Sequence, residues 1–471
     1  MRQRHEITFG TDGWRGIIGA DFTLRNVRRI SSALAECLIS RGLKARPVVI
    51  GYDNRFLSER CALEAARPIL DRGISVSVSR SAVPTPALSL KVIQARASAG
   101  IMITASHNAP EFNGLKLKAE FGGSALPELT GAVQRLAIDM DDRNAASLPD
   151  PACVPREDLI APYVDHLTKS LDVDLMRRNR RKLLVDSMHG VGSRIIEELL
   201  SGKRCHVSTI HSEADPCFGG IQPEPLEKNL IALARMVKRE GYDLGVATDG
   251  DADRVAAIAE DGSYLSPLTL TPLLALHLLE NRKRKGSIVK TYANTIYLDR
   301  IAHAYSLPFF IRPVGFKYVA EIMLKGDFLI GGEESGGIGI GGYIPERDGL
   351  FVSLLLFEML CQTGFSITQL KKRMWKRFGK FEYRREDLLS QPEIGKRLTD
   401  ALVKDPPDKL AGYSIESIDT LDGIKFIFAD GSWLLLRQSG TEPVLRIYAE
   451  ATSRKKLGYL IRSGIRLTKR H

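Results

Sequence analysis

The sequence has no uninterrupted apolar run of the ~18 residues that a membrane span needs. Its longest apolar stretch, around residues 268–279, is interrupted by Thr271 and His277 and is followed by the basic run NRKRK. The N-terminal segment MRQRHEITFG has no apolar core behind its positive charges, so we expect no signal peptide. These absences predict a cytoplasmic protein that does not associate with a membrane.

Paired cysteines are missing as well. The 6 cysteines are scattered along the chain, and none forms a CxxC pair. This pattern is typical of reduced thiols in a cytosolic protein rather than of a disulfide framework.

Aromatic residues are absent from the two basic clusters, RRNRRK at residues 177–182 and NRKRK at residues 281–285. Without rings that could stack on bases, these clusters are typical of solvated helix ends and loops. The net charge of +11 nevertheless favours an anionic ligand, which could be nucleic acid, acidic lipid or a small phosphorylated substrate.

What the sequence does have is a regular alternation of helical and strand patterns. Its 471 residues are too many for one compact core and suggest roughly three or four domains. Apolar residues recur at helical spacing from Phe22 to Leu38, and the run VVIGYD then predicts a buried strand. The same alternation recurs at KLLVDS and from Ser287 onward, which indicates α/β layers with largely parallel sheets. After Lys371 the pattern changes to strands, turns and a final helix, which predicts a separate α+β domain.

Three predicted strands each run directly into a polar or glycine-rich loop. The segments are AGIMITASHN (99–108), YDLGVATDGDADR (242–254) and DFLIGGEESGG (327–337). Ligand sites in parallel α/β sheets form at the carboxyl ends of strands. We therefore expect three related units that face one cleft.

The second of these loops, DGDADR, places Asp249, Asp251 and Asp253 two residues apart. Three carboxylates so close repel one another, and ligation by oxygen alone suits Mg²⁺ or Ca²⁺ rather than zinc. A helix–loop–helix calcium site would place Glu260 at its last ligand position, but it requires glycine where Arg254 stands, and the flanks predict strands. Magnesium is favoured, and calcium or a solvated acidic turn remain as alternatives.

The first loop, TASHNAPEFNGLKLK, presents Ser106 at the end of a buried strand. A serine hydroxyl needs a base or a metal before it can act as a nucleophile. His107 is adjacent and should point elsewhere, and the flanks lack the G-x-S-x-G elbow of a hydrolase. The segment alone is equally consistent with a structural turn. Its weight comes from the acidic loop and from Lys116, which follows as a proton carrier or phosphate partner.

Three further segments offer groups that can bind a phosphate or hydroxyl groups. The tail turn RQSGTEPVLR can cradle a phosphate dianion with backbone N–H groups, hydroxyls and guanidinium groups; its candidate residues are Arg437, Ser439, Gly440, Thr441 and Arg446. GGEESGG offers Glu333 and Ser335 as hydrogen-bonding groups for hydroxyls, and FGTDGWRG offers Arg15 beside glycines. Each is also consistent with an ordinary turn.

A dinucleotide fingerprint, G-x-G-x-x-G, occurs at residues 337–342. It is followed by YIPERDG, whose proline and turn residues do not open a helix at once. We therefore do not expect nucleotide binding there.

Taken together, the motifs resemble those of the α-D-phosphohexomutase superfamily, the phosphoglucomutase/phosphomannomutase family. The segments that carry the resemblance occur in the family's order from Phe9 to Glu450, and they are FGTDGWRG, TASHNAPEFNG, DGDADR, VGFK, GGEESGG and RQSGTEPVLRIYAE. The resemblance implies four domains around a central cleft, three related α/β units with mixed, mostly parallel sheets and a C-terminal α+β domain. We expect their bounds at 1–150 (phosphoserine loop), 151–260 (metal-binding loop), 261–370 (sugar-binding loop) and 371–471 (phosphate-binding loop).

The resemblance also implies roles. Ser106 would carry the phosphoryl group and, with the three aspartates, would hold Mg²⁺. Arg254 would steady the acidic loop, and Arg15 and Lys116 would lie near the transferring phosphate, with Lys116 a candidate general base. Glu333, Ser335 and Lys317 of VGFK would contact the sugar, and the tail turn would hold the phosphate that is not reacting.

The implied reaction is a mutase reaction between hexose 1-phosphate and hexose 6-phosphate, with glucose 1,6-bisphosphate or an analogous bisphosphate as intermediate and activator. GEESG is similar to members that handle glucose or mannose, and phosphoglucosamine is the alternative sugar. Two positions depart from the family: Ala109 replaces a usual proline, and Gly337 stands where some members carry a histidine.

Other classes of function remain as alternatives. A phosphatase would use the same serine and metal but release free phosphate, and a catalytically silent protein would only bind phosphosugar or nucleic acid. The intact serine, aspartates and tail turn argue against a silent protein. We expect a small phosphosugar as partner, no nucleic acid, and a monomer or homodimer.

Overall fold

The computed structural model describes residues 7–10, 12–140, 154–201, 204–439 and 444–470. These residues form three mixed sheets flanked by helices, one antiparallel sheet and a short two-stranded sheet. The predicted fold class, three related α/β units followed by an α+β unit, is confirmed.

The first unit contains a six-stranded sheet in the order β1-β5-β4-β2-β3-β6. Its elements are β1 (Trp14–Ile17), α1 (Leu24–Ser40), β2 (Val48–Tyr52), α2 (Ser58–Leu70), β3 (Val76–Ser79), α3 (Thr85–Gln94), β4 (Ala99–Ile103), β5 (Phe112–Ala119), α4 (Pro127–Asp139) and β6 (Arg156–Glu157). Strand β2 is parallel to β3 and β4, whereas β5 is antiparallel to β1 and β4. Helix α1 begins where the Thr23 hydroxyl accepts a hydrogen bond from the N–H of Asn26, and it buries one apolar face.

The second unit has a five-stranded sheet in the order β11-β10-β9-β7-β8. Its elements are α5 (Ile160–Ser170), α6 (Val173–Arg178), β7 (Lys182–Asp186), α7 (Ile195–Leu200), β8 (His206–Ile210), α8 (Ile231–Glu240), β9 (Leu244–Thr248), β10 (Val255–Ala259) and β11 (Tyr264–Leu265). Strand β7 is parallel to β8 and β9, and β10 is antiparallel to β9. The acidic loop is therefore flanked by strands, as expected, and not by the helices of a calcium loop.

The third unit has four strands in the order β13-β12-β14-β15. Its elements are α9 (Pro267–Glu280), β12 (Ser287–Thr291), α10 (Tyr297–Ala304), β13 (Phe309–Arg312), α11 (Phe316–Met323), β14 (Phe328–Gly332), β15 (Ile338–Ile340), α12 (Gly349–Thr363) and α13 (Ile367–Phe378). The glycine pattern at residues 337–342 lies on β15, and the next helix begins only at Gly349. It therefore lacks the helix that a dinucleotide-binding turn requires.

The fourth unit is an antiparallel sheet in the order β16-β22-β21-β20-β19, with helices packed on it. Its elements are β16 (Glu382–Leu389), α14 (Pro392–Lys404), β17 (Lys409–Leu410), β18 (Tyr413–Ser414), β19 (Ser417–Asp419), β20 (Ile424–Ile427), β21 (Trp433–Gln438), β22 (Val444–Ala451) and α15 (Arg454–Arg470). Gly431, in the turn between β20 and β21, has a φ of 84°, which glycine adopts without steric cost.

One local design recurs in the first three units. In each, a buried parallel strand ends in a loop and the chain returns as an antiparallel strand: β4 to β5, β9 to β10, and β14 to β15. These three loops are the predicted serine, acidic and sugar loops. A single apolar cluster extends from α3 in the first unit to α12 in the third, so the units share a core.

Two details concern the limits of the units. Strand β6 joins the first sheet beyond residue 150, and helix α13 continues past residue 370 while packing on α9. The domain bounds given above stay predictions. Among the described residues no single helix is long and apolar enough to cross a membrane; α12 and α13 reach that composition only as a pair, bent by 83°.

Candidate active site

Ser106 lies in the loop between β4 and β5 with a φ of 54°, which is uncommon for a residue other than glycine. Its side chain is buried, and its Oγ donates a hydrogen bond of 2.7 Å to Oδ2 of Asp249. Its own backbone N–H donates to Oγ1 of Thr104 at 2.8 Å. The loop therefore aims the serine hydroxyl directly at the acidic loop of the second unit.

Arg55, which follows β2, holds the backbone of this serine loop. Its guanidinium donates to four carbonyl oxygens, those of Ser106 (2.8 Å), Asn108 (2.5 Å), Ala109 (2.8 Å) and Phe112 (2.9 Å). Sequence analysis missed Arg55, although its place just after a parallel strand was a usable signal. Because Ala109 contributes its carbonyl to this set, the missing proline leaves the loop anchored.

His107 does not point away from Ser106, so that expectation was wrong. Its Nδ1 lies 3.3 Å from the Ser106 Oγ, because the positive φ turns the loop back on itself. Burial, together with the charges of Arg254, Arg15 and Lys116, lowers the pKa of the imidazole well below its usual value. A neutral imidazole therefore lies within hydrogen-bond distance of the hydroxyl oxygen, whose single proton is donated to Asp249.

The three aspartates of the acidic loop come together as predicted. All three are buried, and each offers one carboxylate oxygen within 4.8 Å of those of the other two. Burial and the charges of Asp251 and Asp253 raise the pKa of Asp249 well above its usual value. A group of this kind needs a cation.

The hydrogen bonds show which oxygens are left for that cation. Oδ2 of Asp251 accepts from Lys116 at 2.7 Å and from Thr85 at 2.6 Å. Oδ2 of Asp253 accepts from Lys116 and from Arg347, each at 2.7 Å. The Oδ1 atoms of both aspartates are buried and have no hydrogen-bond partner among the described residues. Buried acceptors without a partner are costly, so the residues fit a hard divalent cation at these atoms.

Lys116, on β5, reaches across to the acidic loop. Besides the two aspartates, its Nζ lies 3.0 Å from Oδ2 of Asp12. Burial alone would lower the pKa of the amine, but these carboxylates raise it above its usual value. In this arrangement Lys116 is a buried ammonium group, and its role as a general base stays a prediction.

Arg15 contacts the serine loop and Arg254 belongs to the acidic loop, and their roles toward a transferring phosphate stay predictions. Arg15 donates from Nη1 to Oδ1 of Asn108 at 2.5 Å, and burial lowers the pKa of its guanidinium. The backbone N–H of Arg254 donates to Oδ1 of Asp249 at 3.0 Å, which fixes the end of the acidic loop. Its guanidinium lies 3.6 Å from a carboxylate oxygen of Glu224.

Arg347 is a second cation that sequence analysis missed. Its Nη2 donates to Asp12 and, at 2.7 Å, to Asp253, and its Nη1 lies 3.4 Å from Oε2 of Glu333. It stands in YIPERDG, a segment that we had interpreted only as a turn. Its charged partners lie far away in the sequence, so no local pattern indicated this position.

Of the three residues predicted to contact a sugar, Glu333 and Ser335 lie in one loop, called the sugar loop here, and Lys317 lies on a different element. Glu333 is buried, and burial raises the pKa of its carboxyl although Arg347 opposes the shift. Ser335 is half-buried in the same loop. Lys317, at the start of α11, lies with its Nζ 5.0 Å from the ring of Tyr318 and makes no hydrogen bond or ion pair with another described residue. These contacts do not test whether Lys317 binds a substrate, so that role stays a prediction.

The tail turn joins β21 to β22 and carries two opposed arginines. Arg437 and Arg446 are direct cross-strand partners, and the N–H of Ser439 donates to the carbonyl of Val444 at 2.9 Å. Asp422 accepts from Arg437 at 2.7 Å. Like charges directly opposite one another destabilise a sheet, which favours an anion at this turn. Gly440 and Thr441 lie outside the described residues.

Family models match along the chain. They describe phosphoglucomutase/phosphomannomutase alpha/beta/alpha domain I at residues 6–143, domain II at 161–262, domain III at 268–378, and the C-terminal domain at 393–462.

Individual proteins are similar over nearly the whole chain. A phosphoglucomutase/phosphomannomutase of Thermococcus kodakarensis is 33% identical over 98% of both chains. A phosphoglucosamine/phosphogalactosamine mutase of Sulfurisphaera tokodaii is 30% identical over 94% of this chain and 95% of its own. The crystal structure of a protein from Thermus thermophilus, named as a candidate phosphomannomutase, is 34% identical, covers 98% of this chain and 99% of its own, and superimposes with a TM-score of 0.87.

Proposed function

Because the chain belongs to the phosphoglucomutase/phosphomannomutase family of the α-D-phosphohexomutase superfamily, we propose that it interconverts hexose 1-phosphate and hexose 6-phosphate through a phosphorylated Ser106. One observation carries the proposal. The buried Ser106 hydroxyl donates at 2.7 Å to Asp249, beside two buried aspartate oxygens that have no other described partner. A nucleophile and a cation cradle in contact are what phosphoryl transfer requires.

The reaction has two balanced halves. First, the bond between phosphorus and the Ser106 Oγ breaks, and phosphorus bonds to the free hydroxyl oxygen of a sugar monophosphate, whose proton passes to a base. The resulting 1,6-bisphosphate turns around in the site. Its other phosphate then returns to the Ser106 Oγ, and the sugar oxygen regains a proton. The sugar leaves with its phosphate on the other carbon, and no phosphate is released.

The reacting phosphoryl group needs positive charge in fixed positions. The Oδ1 atoms of Asp251 and Asp253, together with Asp249 and Ser106, would hold Mg²⁺, which when bound supplies charge against the phosphoryl oxygens. Arg15, Lys116 and Arg254 would neutralise the remaining oxygens. Lys116 is the predicted general base, and the neutral His107, whose Nδ1 lies 3.3 Å from the Ser106 Oγ, is a second group that would exchange a proton with the sugar hydroxyl.

The tail turn would hold the phosphate that is not reacting. Arg437 and Arg446 oppose one another across β21 and β22, and a phosphate dianion between them would remove their repulsion. Ser439, Gly440 and Thr441 would add hydroxyl and N–H donors. A remote grip that accepts either end of the sugar allows the bisphosphate to turn around, and its binding energy contributes to orientation.

Glu333, Ser335 and Lys317 would contact the sugar itself. Glucose and mannose phosphates are the favoured substrates, because the middle of the GGEESGG loop is Glu334 rather than the glutamine typical of phosphoglucosamine members. Phosphoglucosamine remains the alternative, since relatives of similar identity carry that name.

The test is a coupled assay of purified protein with Mg²⁺ and a trace of glucose 1,6-bisphosphate. Glucose 1-phosphate, mannose 1-phosphate and glucosamine 1-phosphate are compared at equal concentration. Formation of the 6-phosphate without release of inorganic phosphate supports the mutase and ranks the sugars. Stoichiometric release of inorganic phosphate would instead indicate a phosphatase, and DNA binding without turnover would indicate a silent binding protein.

A further inference from the structure

Arg347 connects three loops that come from three different units. Its guanidinium contacts Asp12, which precedes β1, Asp253 in the acidic loop, and Glu333 in the sugar loop. The side chain is 3% exposed, and among the described residues its charge is balanced by these carboxylates and by Glu346. A buried guanidinium with several fixed acceptors has little freedom to move.

Gly337 makes room for this arrangement. A Cβ added at Gly337 would lie 2.3 Å from Cδ of Arg347 and 3.1 Å from Oε2 of Glu333. The φ of Gly337 lies outside the left-handed region, so its backbone does not require glycine. Glycine is required here for space, because the methylene groups of Arg347 occupy the volume that a side chain at position 337 would fill.

Asp253 belongs both to the contacts of Arg347 and to the group of aspartates that would hold the cation. Arg347 and Lys116 both donate to its Oδ2, and this leaves Oδ1 as the buried oxygen without a partner. Groups that hold the second oxygen of a carboxylate orient the first one toward a metal. On the other side, Glu333 is held by the same guanidinium.

We propose that Arg347 is a positioning residue that couples the sugar loop to the cation site, and that Gly337 is kept without a side chain to admit its stem. The proposal rests on the proposed function for the identity of the sugar ligand but not for the cation arrangement. Occupation of Glu333 by a sugar hydroxyl changes how Arg347 holds Asp253. Because coupling between two binding sites is reciprocal, phosphosugar and cation must alter one another's affinity by the same factor.

The first test measures Mn²⁺ binding by electron paramagnetic resonance, with Mn²⁺ as the probe. The proteins are the wild type, Gly337→Ala, Arg347→Ala and the double variant. We expect each single change to weaken Mn²⁺ binding by about 10-fold, the lower end for residues that orient metal ligands. The double variant should bind no more weakly than Arg347→Ala, because the clash disappears with the arginine stem. Effects that multiply, or wild-type affinity in Gly337→Ala, would overturn the proposal.

Gly339→Ala is the matched control. It lies on β15, two residues after Gly337, and its added Cβ would also be crowded, but by Met323 at 2.7 Å and Phe316 at 3.0 Å instead of by Arg347. It should lower the melting temperature while leaving the Mn²⁺ Kd unchanged. A Gly339→Ala variant that weakens Mn²⁺ binding as much as Gly337→Ala would show that crowding alone produces the effect, and would refute the specific role of Arg347.

The second test measures coupling and uses Arg347→Lys, which keeps the charge if Arg347→Ala does not fold. The Mn²⁺ Kd is determined with and without saturating glucose 6-phosphate. In the wild type, glucose 6-phosphate should change the Mn²⁺ Kd several-fold. In Arg347→Lys the ratio of the two Kd values should approach one, because a single ammonium group cannot contact Asp253 and Glu333 at the same time as the two Nη atoms of arginine do. An unchanged ratio in the variant overturns the proposal. If the wild type lacks mutase turnover, the proposed function fails, and the Mn²⁺ comparison among the variants still decides the role of Arg347.

Discussion

The two regions that we propose to bind phosphate groups are built in opposite ways. The reacting centre, comprising Ser106, Lys116, Arg347 and the three aspartates, has its charges paired inside the protein, and the side chains of Asp251 and Asp253 are 0% exposed. The tail turn, comprising Arg437, Ser439 and Arg446, sets two arginines against each other. Their carboxylate partners, Asp422 and Asp387, are 21% and 36% exposed.

This difference corresponds to two tasks. Stabilising a transition state requires charges that are already in position, because reorientation during the reaction adds to the barrier. Holding a distant phosphate requires net positive charge that the ligand itself completes. The reacting centre should therefore contribute to folding stability as well as to turnover, and the tail turn should contribute to binding with little effect on stability.

Removing the attacking atom should have the largest effect. For Ser106→Ala we expect turnover to fall by at least ~10⁴-fold, because the phosphoryl group loses its acceptor on the enzyme. The fold should persist, since Arg55 holds the loop through backbone carbonyls that alanine retains. The coupled assay and thermal unfolding measure the two effects. Ser31→Ala, a buried serine of α1, is the control and should keep full turnover; turnover near wild type in Ser106→Ala would remove the phosphoserine mechanism.

Removing the buried ammonium group of Lys116 should have the second-largest effect, on the stability of the reacting centre. For Lys116→Met we expect the free energy of unfolding to fall by about 3 kcal/mol, because Asp12, Asp251 and Asp253 lose the ammonium that they share. Added Mg²⁺ should then stabilise the variant less than the wild type, because Oδ2 of Asp251 and Oδ2 of Asp253 lose the donor that orients their Oδ1 atoms toward the cation. Denaturant titrations with and without Mg²⁺ measure both quantities.

The control for this change is Lys118→Met on the same strand. Lys118 is equally buried but pairs with Glu346, away from the three aspartates. It should lose stability while keeping the wild-type response to Mg²⁺. Equal Mg²⁺ responses in the wild type and both variants would contradict the placement of the cation beside Lys116.

The tail turn should respond differently. For Arg437→Gln we expect the KM for the sugar phosphate to rise by about 30-fold, in line with the loss of a charged hydrogen bond worth roughly 2 kcal/mol. The free energy of unfolding should change by less than about 0.5 kcal/mol, because the repulsion from Arg446 disappears as well. Steady-state kinetics and denaturant unfolding are the measurements. Arg384→Gln, an exposed change on β16, should leave the KM unchanged. A large loss of stability in Arg437→Gln would contradict the claim that the tail turn contributes to binding but little to folding stability.

The smallest effect is the response to inorganic phosphate. At about ten times its Kd, phosphate should stabilise the wild type by about 1.4 kcal/mol. Arg437→Gln should lose most of this gain, whereas Ser106→Ala should keep it. Thermal unfolding at constant ionic strength measures the shifts. If Arg437→Gln keeps the full gain, the phosphate binds elsewhere and the assignment of the tail turn is wrong.

Much of the fold could be predicted because its signals are local. Buried strands such as VVIGY and LGVAT are continuous apolar runs, and each is followed within a few residues by the polar loop that it positions. The three serine, acidic and sugar loops were found for the same reason. The limits of the units were harder to predict, because strand β6 and helix α13 join their neighbours through pairing and packing that the local composition does not indicate.

The site was predicted less completely. Ser106 and the three aspartates stand in short motifs, whereas Arg55 and Arg347 act through partners that lie far along the chain. His107 was misjudged because adjacent side chains point apart in an extended chain, and only the positive φ at Ser106 brings its imidazole back to the hydroxyl. A rare backbone conformation of this kind has no sequence signal when the residue is not glycine.

The sequence by itself determined the chemistry that is available: a serine, three carboxylates two residues apart, and cationic side chains in the serine, acidic and tail segments. The tertiary structure alone decided how those groups are used. It set which oxygen of Asp253 is left free, and it brought Arg347 to Asp12 across 335 residues. The physical reason is that motif chemistry depends on neighbours in the chain, whereas the balance of buried charges depends on contacts that exist only after the units have packed together.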